Sequence, residues 1–106
     1  MPKYLLEASY TTEGLRGLQS DSASGRRADV QSAVKALGGT VEVFYYAFGR
    51  DDVIIILDLP DNVAAAALGL TTSGSGGVHV RTTPLLTVEE VDKALDVKTQ
   101  YRAPGK

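Results

Sequence analysis

The stretch that most constrains the fold is Val53-Ile54-Ile55-Ile56-Leu57, set between the turn residues Gly49-Arg50-Asp51 and the breaker Pro60. A short run of branched apolar residues reads as a strand. One that is apolar on both faces belongs in the interior of a sheet. The preceding segment, Thr40 to Phe48, is rich in β-branched and aromatic residues. With the glycine-containing turn between them, the two runs predict a hairpin.

The remaining elements arrange themselves around that hairpin. Lys3 to Tyr10 reads as a first strand. Thr11-Thr12-Glu13 starts a helix carrying Leu15 and Leu18, and Gln19 to Gly25 reads as a loop or a badly broken helix, because small polar side chains compete for the helical backbone. The pattern resumes at Arg26, with Val30, Ala33, Val34 and Leu37 at helical spacing, and stops at Gly38-Gly39. After Pro60, Asp61 or Asn62 caps a helix through Val63 to Leu68, and Thr71 to Gly77 reads as a loop. Val78 to Thr83 alternates as a half-buried strand. Thr87-Val88-Glu89-Glu90 has the form of a capping box, followed by Val88, Val91 and Leu95 on one helical face and a tail over residues 99–106.

The order β-α-β-β-α-β-α predicts one α+β domain over residues 1–106. It is ferredoxin-like, with an antiparallel four-stranded sheet, a broken first helix and an extra C-terminal helix. Right-handed crossovers place the first and third strands in the centre.

Two helices cover only one face of such a sheet. In strict alternation the second strand carries Val41, Val43 and Tyr45 on one side and Phe44, Tyr46 and Phe48 on the other. The third strand is apolar on both. An uncovered apolar patch of this kind is unusual on a soluble monomer. The expected cover is a second copy of the chain, the last helix, or both, with a symmetric dimer as the simplest closed form.

Composition narrows the chemistry. The chain has no cysteine, so disulfides, thiolate metal sites and cysteine nucleophiles are excluded. Eleven Lys+Arg against thirteen Asp+Glu give a net charge of −2, which supplies no general attraction to nucleic acid or anionic lipid. The third strand also lacks the aromatics with which RNA-binding sheets stack bases. No apolar run approaches the length of a membrane span, and Met1-Pro2-Lys3-Tyr4 does not open a signal peptide. The expectation is a cytoplasmic protein without nucleic-acid or membrane partners.

Several stretches together resemble the GYD-domain proteins, small bacterial and archaeal chains of about this length. They are Pro2-Lys3-Tyr4-Leu5 with Glu7 to Thr11, Glu13-Gly14-Leu15, Arg26-Arg27, Leu37-Gly38-Gly39 and Phe44 to Gly49. Further along come Asp52-Val53, Asp58 to Asn62, Leu85-Leu86-Thr87, Glu89 to Asp92 and Tyr101-Arg102. The resemblance implies a ferredoxin-like fold of the dimeric α+β-barrel type and no particular reaction. At the naming motif this chain departs: Arg50-Asp51 stand between Gly49 and Asp52, where the family carries its tyrosine. No role of that hydroxyl transfers.

Candidate chemistry is sparse. His79, the one histidine, alternates with Arg81 on the last strand and is a candidate acid or base, with Arg81 steering an anionic group. Glu7 and Glu42 either join them in a polar patch or make cross-strand ion pairs. No spacing of His, Asp and Glu suits a metal, and no cofactor is expected. Arg26 and Arg27, after the Ser20 to Gly25 loop, are candidates for anion binding at a helix start, against a solvated loop with exposed arginines. Tyr10 and Tyr46 are candidate residues for binding a small apolar-aromatic ligand, against a plain core or interface role. Pro2 becomes a secondary amine, a possible base, if Met1 is removed.

Two functions compete. The first is an oligomeric small-ligand-binding or assembly module. The second is a cofactor-independent proton-transfer enzyme acting on a small organic acid, with His79 and Arg81 joined by a hydroxyl from Tyr10 or Tyr46. The two separate on whether His79 and Arg81 line a closed cavity or face bulk water.

Overall fold

The computed structural model describes residues 1–106. Its first strand, β1 (Lys3–Tyr10), alternates buried Tyr4, Leu6 and Ala8 with half-buried Leu5, Glu7 and Ser9. The Thr11 hydroxyl accepts from the Gly14 amide and starts α1 (Thr12–Asp21). Ser22 breaks the helix at φ 71°, and its hydroxyl accepts from the Gly25 amide to cap α2 (Ala23–Ala36). Gly38, at φ 84°, takes the left-handed conformation that ends this helix and lets β2 (Thr40–Tyr46) begin. β3 (Val53–Asp58), α3 (Asn62–Gly74), β4 (Val78–Leu85) and α4 (Val88–Asp96) complete the chain.

The sheet order is β2-β3-β1-β4 with every neighbour antiparallel. This is the α+β, ferredoxin-like arrangement, with β1 and β3 central as right-handed crossovers require. The core lies between the sheet and the helices. Tyr4, Leu6 and Ala8 of β1 and Val53, Ile55 and Leu57 of β3 meet Val34 of α2 and Ala65 and Leu68 of α3. Tyr4 is buried to its hydroxyl, which donates to Asn62 Oδ1 at 2.6 Å and so ties the centre of the sheet to the start of α3. α2 packs over β2 and α3 over β4, one helix on each flank.

Of the two readings open for Gln19 to Gly25, the broken helix holds: the break is one residue, Ser22, whose hydroxyl caps α2. The structure corrects two local expectations. The loop expected from Thr71 begins only after Gly74. Thr72 bonds back to the Leu68 and Gly69 carbonyls and stays helical. In β2, strict alternation fails at a bulge between Val41 and Val43. Val41 therefore joins Phe44 and Tyr46 on the helix side, while Val43 and Tyr45 lie on the opposite face. β2 also ends at Tyr46. The Ala47 amide donates to the Asp52 carbonyl to close the turn, and Phe48 stands fully exposed beyond it.

The last helix does not cover the sheet. α4 has its capping box in place, with Thr87 and Glu90 satisfying each other's backbone amides, yet none of its residues is buried. Val88, Val91 and Leu95 are all exposed. The chain measures 57 × 33 × 23 Å with a radius of gyration of 16.9 Å, against about 13 Å for a compact domain of this length.

Candidate functional site

The sheet face turned away from the helices is built from the residues between the core positions. Leu5 of β1, Val43 and Tyr45 of β2, and Ile54 and Ile56 of β3 give it an apolar middle. Tyr45 is 68% exposed. Nothing within the chain lies over this surface.

Ion pairs bound it at two ends. At one, Lys3 Nζ donates to Glu42 Oε2 at 2.6 Å and to Asp58 Oδ1 at 2.9 Å. The bond to Glu42, then that to Asp58, holds the Lys3 ammonium above its ordinary pKa of 10.5. The bulge in β2 is what brings Glu42 to this side. At the other end Arg81 donates to Asp51 Oδ2 at 2.6 Å and lies 3.5 Å from Glu7. Ser9 Oγ donates to the second Asp51 oxygen at 3.2 Å. Asp51 is 8% exposed and sits in the turn where the resembled family carries its tyrosine. Glu7 and Glu42 thus make cross-strand pairs at opposite ends and form no common patch.

His79 is opposite Ser9 in the β1–β4 register and Arg81 is opposite Glu7, so both belong to this open face, and both are exposed. Neither lines any of the four main cavities. Tyr10 and Tyr46 belong to the other side. Tyr10 follows Tyr4, Leu6 and Ala8 on the helix-facing side and packs on the core. Tyr46 donates from its hydroxyl to the Ala23 carbonyl at 3.1 Å. The sheet therefore separates His79 and Arg81 from the tyrosines, and the four residues of the proton-transfer reading do not converge.

Tyr10, Tyr46 and Arg26 do converge, at the start of α2. Burial first, then the neighbouring Tyr10 phenol, push the Tyr46 hydroxyl up to about 12, with Arg26 and Arg27 acting in the other direction. Arg26 carries its own counter-ions, Asp29 at 3.0 Å and Asp21 at 3.6 Å. The Gly25 amide, third in α2, is capped by Ser22. The Arg26 charge and that amide are thus already engaged within the chain. Arg27 is exposed beside Ser24 and Tyr46.

Between α2 and α3 a cleft of about 130 Å³ opens onto the central strands. Leu6, Ala8 and Ile55 form its floor, with Val30 and Ala33 of α2 on one wall and Leu68 of α3 on the other. Tyr10, Arg26 and Thr72 are among its few polar neighbours. Sequence reasoning named Tyr10 and Arg26 but missed the cleft, which depends on how far apart the helices sit. It also missed Asp51, which reads as an ordinary turn residue. The one signal was an acid pair, Asp51-Asp52, directly ahead of a wholly apolar strand.

No grouping of His, Asp and Glu able to hold a metal ion is present, and no helix is long and apolar enough to cross a membrane. No curated protein and no solved structure is significantly similar to the chain. The model of the GYD domain matches residues 4–95, which spans the whole sheet and all four helices to Leu95, and the chain belongs to the GYD-domain family.

Proposed function

We propose that the protein is a self-assembly module that pairs with a second copy of itself through the open sheet face. The observation that carries this reading is surface left over. A compact monomer of 11.2 kDa exposes about 5,700 Å², whereas this chain exposes 7513 Å². The excess, about 1,800 Å², exceeds the roughly 800 Å² that each partner buries in an ordinary stable interface.

The chemistry of the face suits a copy of itself. Its apolar middle gains about 25 cal/mol per Å² on burial. Each of the carboxylates Glu7, Glu42, Asp51 and Asp58 already has a cationic partner within the chain, which limits repulsion between two copies. Phe48 at the turn and Tyr45 beside the apolar middle are aromatic anchors of the type that dominates interface energetics. The exposed stripe of α4 gives a second apolar surface that the same partner reaches.

The proton-transfer reading has less support, since its residues lie on opposite sides of the sheet. The test uses the absence of native cysteine. A single cysteine replacing the exposed Thr83, opposite Leu5 on the same face, and carrying a nitroxide gives a dipolar coupling between two labels in the paired form. A label that sees no second spin at any protein concentration contradicts the proposal.

A further inference from the structure

We propose that the cleft between α2 and α3 is a binding site for a neutral monocyclic aromatic compound bearing one oxygen substituent. The cleft arises from packing. α2 rests on β2 and α3 on β4, so the central strands β1 and β3 lie beneath a trench that neither helix fills. The residues that would close it are small: Ala8 rises from the floor and Ala33 from the α2 wall. Eleven of the fourteen lining residues are hydrophobic, and an apolar space of this size forfeits contacts on every wall while empty.

Size fixes the ligand's body. An apolar cavity of about 150 Å³ accommodates one benzene ring, and this cleft, at about 130 Å³, is matched to a single ring. Phe44 contributes an aromatic surface to the lining. Polarity fixes the substituent. Of the donors in the lining, the Thr72 hydroxyl is spent on the Leu68 and Gly69 carbonyls, which leaves Tyr10 and Arg26, so one hydroxyl or carbonyl oxygen directed toward them is matched. Charge fixes neutrality. Arg26 is already paired with Asp29 and Asp21, so a carboxylate entering the cleft meets two acids for one guanidinium. The organic acid suggested by the sequence belongs with His79 and Arg81 on the other face of the sheet, not with this cleft.

The site lies behind the sheet, on the side opposite the face that pairs, and does not rest on self-association. The test is a titration of the whole protein with phenol at neutral pH, followed by the amide resonances of Ala8, Ala33 and Val80. Saturable shifts at these three positions are expected, with benzoate binding at least tenfold more weakly. Ala33→Leu and Ala8→Leu, which fill the cleft from wall and floor, are each expected to weaken phenol at least tenfold. Ala33→Leu changes a helix position open to solvent and keeps the test valid if Ala8→Leu fails to fold. Absence of saturable shifts at the lining residues, unchanged phenol binding in Ala33→Leu, or benzoate binding as tightly as phenol overturns the proposal. The readout is at the cleft itself, so its failure leaves self-association untouched.

Discussion

Single residues hold this fold at places where a side chain, or its absence, meets backbone. Gly39 is buried, and a methyl group there would run into the Asp58 carbonyl at the end of β3. Backbone cannot step aside as a flexible side chain does, so Gly39→Ala is expected to lower stability by about 1–3 kcal/mol in denaturant unfolding. Arg81 is tied to the nearly buried Asp51. Arg81→Leu leaves that carboxylate with only Ser9 and Arg50 nearby, and a loss of about 1–3 kcal/mol is expected by the same measurement. Unchanged stability would free Arg81 for a role other than structure. Tyr46 gives a pH signature. Its folded pKa, about 12, lies above its ordinary 10.0, so the folded state holds that proton more tightly than the unfolded chain. The resulting stability is present below pH 10 and lost as pH rises through 12. Ultraviolet titration of the phenolates is expected to show one late-titrating tyrosine, absent in Tyr46→Phe, with a shallower alkaline loss of stability in the variant.

The elements differ in how much of them was readable before folding. β3 was legible because an unbroken branched run leaves no choice of face, and α4 because Thr87 and Glu90 mark its start. β2 was legible in extent but not in facing. Its bulge places Glu42 on the open side beside Lys3, a partner far away in sequence. The end of α3, written in Thr, Ser and Gly, was misread as a loop, since the Thr72 hydroxyl continues the helix once its carbonyl partners are in place. The cleft was not legible at all, because it is set by the separation of two helices and not by either one. α4 carries the clearest prediction at this scale. It folds on its own cap and touches little of its own chain, so Val91→Asp is expected to leave the circular dichroism of the sheet and helices unchanged. The same change is expected to weaken self-association at least tenfold, as read by concentration-dependent light scattering. Equal association in the variant would remove α4 from the interface.

At the scale of the whole molecule, only 12 of 106 residues are buried, and the mass distribution is too extended for a finished globule of this length. A ferredoxin-like layer with helices on one side has half a core, and the composition supplies apolar residues for both halves. The proposed pairing through Leu5, Val43, Ile54 and Ile56 would close the second half and leave the helix-side cleft accessible. Sedimentation equilibrium on the intact chain and on Ile56→Lys tests this most directly. The account predicts twice the 11.2 kDa chain mass for the native protein at micromolar concentration, and the single-chain mass for the still-folded variant. A native protein that sediments as a single chain at every concentration would contradict it.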